Sequence, residues 1–207
     1  MKRGVVKMTN HYYSETPSVE SNRNRFTFDL RGNTLRFISD AGVFSKKEID
    51  FGSRLLIEAF QFPDIEGDLL DMGCGYGPIG LALAKETKDR TVYMADINER
   101  AVQLSKENAN ENKIRNVVVF QSNLFEAIEK NDFAAILTNP PIRAGKDTVH
   151  QIYEQAHAKL VSGGQLWIVI QKKQGAPSTI EKLKMLFSTV EVVEKKKGYF
   201  IICAQKN

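Results

Sequence analysis

The sequence predicts an α/β fold: a Rossmann-like, mostly parallel sheet of seven strands with an antiparallel last strand, preceded by a β-hairpin and a helix. Three observations predict it. From residue 68 onward, short apolar runs alternate with stretches of helical period, which is the rhythm of βαβ units. A glycine-rich segment follows the first of these runs directly. The last two apolar runs are joined only by Lys195-Lys196-Lys197-Gly198, too short for a crossover helix, so that pair must be antiparallel.

In chain order, residues 1–24 read as an irregular N-terminal arm containing Pro17, with Met8 an alternative start, and 25–207 as one domain. Within it, a hairpin and helix occupy 25–62 and the sheet occupies 66–207. The run Arg25–Arg31 alternates polar and apolar residues, Gly32-Asn33 reads as the turn, and Leu35–Ile38 returns. Ser45-Lys46-Lys47-Glu48 resembles a capping box before a helix carrying Phe51, Leu55, Leu56, Ala59 and Phe60. Strands are expected at 68–72, 91–95, 117–121, 133–138 and 164–171, and helices at 78–87, 98–112, 145–161 and 178–187.

Composition narrows the function class. The 207 residues carry a net charge of +4, which permits a nucleic-acid partner without requiring one. No run of eighteen apolar residues appears, so no membrane partner is expected. Cys74 and Cys203 form no disulfide framework and suggest a reducing cytoplasm. They are too few for a zinc site, and His11, His150 and His157 are not spaced as ligands, so no metal is expected.

The loop Asp71-Met72-Gly73-Cys74-Gly75-Tyr76-Gly77-Pro78-Ile79-Gly80 lets the backbone take positive φ and approach a ligand beyond the strand ends. Gly75-x-Gly77-x-x-Gly80 also fits a dinucleotide fingerprint. Asp71 discriminates: a carboxylate there repels a pyrophosphate and attracts the ammonium of a methionine moiety. Asp96, ending the second parallel strand, suits both hydroxyls of a ribose. Asn123 reads equally as an adenine-edge contact, with Ile97 and Leu124 against the ring faces, and as a plain turn residue.

Asn139-Pro140-Pro141 ends the fourth strand. The Asn139 side-chain carbonyl and the Pro140 backbone carbonyl are two acceptors able to take both hydrogens of a planar NH₂ group. They would aim its lone pair at an electrophile, through positioning and through stabilisation of positive charge on nitrogen.

With these motifs the chain resembles the class I methyltransferases that carry Asn-Pro-Pro. Among them it resembles the bacterial small-subunit ribosomal RNA guanine-N2 methyltransferases, over about residues 9–205. Gly42-Val43-Phe44-Ser45 with Asp50-Phe51-Gly52-Ser53, the loop from Asp71, and Asn139–Gly145 carry the likeness. The resemblance implies S-adenosylmethionine as cofactor, held by Phe44, Asp71, Gly73, Gly75, Gly77, Asp96, Ile97, Asn123 and Leu124. It implies catalysis by Asn139 and Pro140, and contacts from Pro141, Ile142 and Arg143 to ribosomal RNA or the small ribosomal subunit. Ile142 stands where such enzymes usually carry an aromatic that stacks on the target. Arg23 and Arg25 are further candidate RNA contacts, Lys195–Lys197 reads as a solvated turn ahead of a phosphate contact, and Tyr12 and Tyr13 are open between base stacking and packing. The rivals are N6-adenine or glutamine-amide methylation, a nicotinamide-dependent oxidoreductase, and a non-catalytic RNA-binding factor.

Overall fold

The computed structural model describes residues 19–45 and 48–207. His11, Tyr12, Tyr13 and Pro17 lie outside them, as does half of the suggested capping box.

The hairpin is β1 (Asn24–Leu30) and β2 (Asn33–Ser39). Its turn is Arg31-Gly32, one residue earlier than expected, with both residues at positive φ, 48° and 74°. Two positive φ values match the right-handed twist of the flanking strands. Arg31 tolerates its own because its guanidinium donates to the carbonyls of Ile57 and Phe60, each at 2.8 Å. Those carbonyls end α1 (Phe51–Ala59), so the turn also caps a helix. The cap at the other end of α1 is Asp50, whose Oδ2 accepts from the Ser53 N–H at 3.0 Å, rather than Ser45.

The sheet comprises β3 (Asp68–Met72), β4 (Val92–Asp96), β5 (Val117–Gln121), β6 (Phe133–Thr138), β7 (Leu160–Gln171), β8 (Thr189–Lys196) and β9 (Tyr199–Gln205). The order is β5-β4-β3-β6-β7-β9-β8. The last strand inserts between β7 and β8, antiparallel to both, and every other pairing is parallel. The helices between are α2 (Pro78–Glu86), α3 (Glu99–Glu111), α4 (Lys146–Lys159) and α5 (Ala176–Leu186). Strand β7 starts at Leu160, four residues before the expected 164, and the helix before it ends sooner. Gly163, at φ 75°, lets the strand bend there while its N–H stays bonded to the Lys206 carbonyl.

Two apolar cores cover the sheet faces. One holds the hairpin, α1, α2 and α3 through residues such as Phe37, Leu56, Leu81 and Trp167. The other holds α4 and α5 through Tyr153, Ile168 and Leu183. Polar side chains fix the hairpin. On α3, Asn108 accepts from the Ile38 N–H (2.7 Å) and donates to the Ile38 and Tyr76 carbonyls (2.9 and 2.8 Å). One turn on, Asn112 accepts from and donates to Arg36 (2.8 and 2.7 Å). Two carboxamides at i, i+4 thereby do for the free edge of β2 what a third strand would.

Because β3, β4, β5, β6 and β7 are parallel, their carboxyl ends share one edge of the sheet. Both sequence motifs leave the sheet there.

Candidate active site

A cleft opens at that edge, with about 930 Å³ of space including its mouth. Of the predicted residues, Phe44, Gly73, Gly75, Asp96, Ile97, Leu124, Asn139, Pro140 and Pro141 lie on its wall. Asp71, Gly77, Asn123, Ile142 and Arg143 do not. Val43, Ser45, Asp50, Ser53 and Ser122, to which no cofactor or substrate contact was assigned, do.

The four loop glycines divide by what a Cβ would meet. At Gly77 and Gly80 it would strike Met94, at 2.8 and 2.7 Å, so these two let α2 pack on β4. At Gly73 and Gly75, with φ of 76° and 58°, it would meet nothing within 4 Å. Those two are glycines for their backbone conformation and for the open space over them. The loop is held from below by Gly73 and Cys74 N–H groups on the Ala95 carbonyl (2.8 and 3.0 Å).

Two carboxylates stand behind it. Asp71 is 1% exposed; its Oδ2 accepts from the Gly80 N–H at 2.8 Å, and its Oδ1 is buried without a hydrogen-bond partner. Burial raises its pKa to about 7, opposed by the Gly80 bond and assisted by the charge of Asp96. Asp96 accepts from the N–H groups of Gly75 and Asn98, each at 2.8 Å, and burial raises its pKa too. Each bonded oxygen keeps a second lone pair for a ligand.

Asn123 is exposed, and its Nδ2 donates to Glu126 Oε1 at 2.9 Å. Its neighbour Ser122 faces the cleft instead. Ser122 Oγ donates to the Leu124 carbonyl at 2.7 Å and holds Leu124 in the left-handed region, φ 48°, on the wall. A non-glycine residue there costs on the order of 1–3 kcal/mol, which marks the position as one where side-chain placement is over-determined. Phe44, at the mouth, is 42% exposed.

At the Asn-Pro-Pro turn, Asn139 Nδ2 donates to Ser53 Oγ at 3.0 Å, with the Asp50 carboxylate oxygens at 3.4 and 3.5 Å. The amide nitrogen is thus tied to the start of α1, leaving Oδ1 as the free end of the carboxamide. The Pro140 carbonyl already accepts from the Ile142 N–H at 2.9 Å, across Pro141 at φ −75°, ψ 80°. That is an inverse γ-turn, and it leaves the oxygen one lone pair. Ile142 lies on an adjacent hollow with Lys146 and His150. Among the described residues, no group of three or more His, Cys, Asp or Glu side chains is placed to hold a metal, and no helix is long and apolar enough to cross a membrane.

These residues fit S-adenosylmethionine. The buried Asp71 carboxyl, its pKa raised by desolvation, is eased by a nearby cation, which the ammonium supplies and a pyrophosphate does not, and Asp96 keeps lone pairs for ribose hydroxyls. The Asp71 Oδ1 lacks a partner, the Gly73-Gly75 backbone has open space above it, and Ile97 with Leu124 give apolar wall. Fold and cleft are those of a class I methyltransferase.

Residues 34–203 match the family model described as methyltransferase small domain, and the chain belongs to that family. As one of these methyltransferases it takes S-adenosylmethionine as cofactor. It is 62% identical over 200 residues to the uncharacterised protein YbxB of Bacillus subtilis, across 96% of this chain and all of that one. It is 32% identical to the ribosomal RNA small subunit methyltransferase C of Actinobacillus pleuropneumoniae, over 94% of this chain and 59% of that protein. Among solved structures it resembles the T. thermophilus 16S rRNA N2 G1207 methyltransferase (RsmC) in complex with AdoMet and guanosine. That likeness has a TM-score of 0.81 at 25% identity, over 92% of this chain and 52% of that one. The chain thus spans about half to three-fifths of the length of the relatives that carry a functional name.

Proposed function

We propose that this chain transfers a methyl group from S-adenosylmethionine to the exocyclic N2 amine of a guanine in small-subunit ribosomal RNA, in the cytoplasm. One observation carries the reading: the Asn139 carboxamide is tied by its nitrogen to Ser53, so an acceptor oxygen is left on the wall of the cleft that also holds Asp96 and the glycine loop. The likeness to relatives named for small-subunit ribosomal RNA, one of them bound to AdoMet and guanosine, supports the substrate class.

The cofactor supplies an electrophilic methyl group. Asp71 would offset its ammonium, Asp96 would accept from its ribose hydroxyls, the Gly73–Gly75 backbone would lie along it, and Ile97 and Leu124 would flank its adenine. Asn139 Oδ1 and the remaining lone pair of the Pro140 carbonyl accept the two amine hydrogens. They draw the nitrogen toward tetrahedral geometry, which frees its lone pair from the ring and stabilises the charge that develops on it. An amine conjugated to a purine is a poor base, so orientation contributes more than proton abstraction. The target base must leave its stack to reach a cleft at the strand ends.

N6-adenine and glutamine-amide groups present the same NH₂ to the same acceptors. Mass spectrometry of digested ribosomal RNA from cells with and without the gene distinguishes them. We expect loss of N2-methylguanosine from small-subunit RNA. Unchanged N2-methylguanosine with loss of N6-methyladenosine or methylglutamine would reassign the target. Because Ile142 offers no ring to stack on, free guanosine should be a poor substrate.

A further inference from the structure

Arg23 and Arg25 both stand beside carboxylates of one helix. Arg23 pairs with Glu107 at 2.8 Å, and Arg25 and Arg36 both stand 3.9 Å from Glu111, on α3. On that side of the molecule these arginines have carboxylates within 4 Å.

The opposite half of the carboxyl edge differs. Chain direction brings three segments together there: the start of α4 after β6, the turn after β7, and the β8–β9 turn, which reaches that edge because β9 is antiparallel to β7. Contacts join them into one band. Lys146 shares a hollow with Gln174 and Gly175. The Lys172 N–H donates to the Gly198 carbonyl at 2.8 Å. Lys197 Nζ lies 4.9 Å from the centre of the Phe51 ring, next to Asp50 on the cleft wall. The band carries Lys146, Lys172, Lys173, Lys195, Lys196 and Lys197, all exposed, and none of them forms an ion pair with a described residue. The carboxylates in its segments are Asp147, in the first turn of α4, and Glu194, whose Oε1 is bonded to the Lys195 N–H. Protection of the edge strand β8 explains charges along that strand. It does not explain Lys172 and Lys173, which follow β7, two places inward in the sheet.

We propose that this lysine band is the docking surface for the sugar–phosphate backbone of the RNA substrate, holding the strand beside the cleft while one base enters it. The inference rests on the RNA reading above and adds the face on which the RNA lies. Clustered ammonium groups without protein counter-charges bind a polyanion by counterion release, independent of sequence. Lys197 is the anchor, since its contact with Phe51 fixes the turn to the helix that positions Asn139.

The test measures RNA binding directly, so it does not depend on which base is methylated. A fluorescein-labelled RNA stem-loop of about 20 nucleotides is titrated with the full chain across salt concentrations, following anisotropy. Two double variants probe the band, Lys172→Glu with Lys173→Glu and Lys195→Glu with Lys196→Glu. A third, Lys88→Glu with Lys106→Glu, makes the same charge change at exposed sites off the band. Each band variant should weaken binding about tenfold at 100 mM salt and reduce the log–log salt slope by about 1.4 to 1.8, two contacts at about 0.7 to 0.9 each. The control should stay within about twofold, and S-adenosylmethionine binding by calorimetry should be the same in all. Band variants that bind like the unchanged chain, a control that loses as much, or salt-independent binding by the unchanged chain would each overturn the proposal. Band-dependent RNA binding together with a methylated product other than N2-methylguanosine would leave the docking surface standing and overturn only the target assignment.

Discussion

The two halves of the carboxyl edge are opposites in charge and in burial. The half formed by β3 and β4 ends in two carboxyl groups, buried Asp71 and partly exposed Asp96, whose pKa values desolvation raises. The half formed by β6, β7 and the β8–β9 turn ends in a rigid proline turn and exposed lysines. A methyl donor carrying an ammonium and a sulfonium suits the first, and a polyanion suits the second. One cleft wall reaches from Asp96 to the proline turn, so under the proposed function a single opening would take the cationic cofactor from one side and the RNA from the other. The division also says which variants should separate cofactor binding from turnover.

The largest effect belongs to Asn139. Asn139→Ala should lower single-turnover methyl transfer by about 10²–10³, the usual loss when one donor or acceptor aimed at developing charge is removed. Cofactor affinity by calorimetry should change little, because the residue lies on the substrate half. A variant with near-normal turnover would break the assignment of the two halves at its centre.

Ser53 gives a smaller and more specific effect. Its Oγ accepts from Asn139 Nδ2 at 3.0 Å, the shortest of three contacts, the other two being the longer ones to the Asp50 oxygens at 3.4 and 3.5 Å. Ser53→Ala leaves the amide nitrogen only the longer Asp50 contacts, so the carboxamide is held less firmly with its oxygen toward the target amine. We expect a fall in kcat of about tenfold with KM for the cofactor unchanged. Ser53→Thr, which keeps the acceptor, should recover much of it. Equal losses in both variants would indicate a packing defect instead of lost orientation.

Much of this was legible in the sequence because it lives in local pattern. Alternating apolar runs gave the strands, and the glycine loop and Asn-Pro-Pro fell where parallel strands end. What was not legible depends on tertiary placement. Asp50 and Ser53 lie 89 and 86 residues from Asn139 in the chain, and only the packing of α1 against the sheet brings them to it. The likeness around Asp50–Ser53 flagged the segment but gave those side chains no task. Ser122, not Asn123, lines the cleft beside Leu124, whose positive φ no periodicity reports. Lys195–Lys197 read as a solvated turn, correctly as to exposure; their company with Lys172 and Lys173 follows from the insertion of β9, a choice of strand order that connection lengths leave open.

The smallest effect sharpens the cofactor half through pH. The buried Asp71 carboxyl has a pKa raised to about 7, chiefly by desolvation. In the unfolded chain it ionises near 4, so the folded protein holds the proton more tightly. The stability this contributes is fully present below about pH 4 and is lost as pH rises through about 7. A cation brought close acts in the other direction, since it favours the carboxylate. Binding S-adenosylmethionine below pH 7 should therefore release a proton, and affinity should rise with pH, by at most about tenfold between pH 6 and pH 8 if only the ionised form binds. Calorimetry in two buffers of different ionisation enthalpy reads the proton directly. Asp71→Asn keeps an acceptor for the Gly80 N–H and removes the titration, so its binding should be weaker and nearly flat across the same range. A slope that persists in Asp71→Asn would move the titrating group to Asp96, whose pKa burial also raises. A flat profile in the unchanged chain would mean that neither carboxyl changes charge on binding, and that the acidic half holds the cofactor by shape and hydrogen bonds alone.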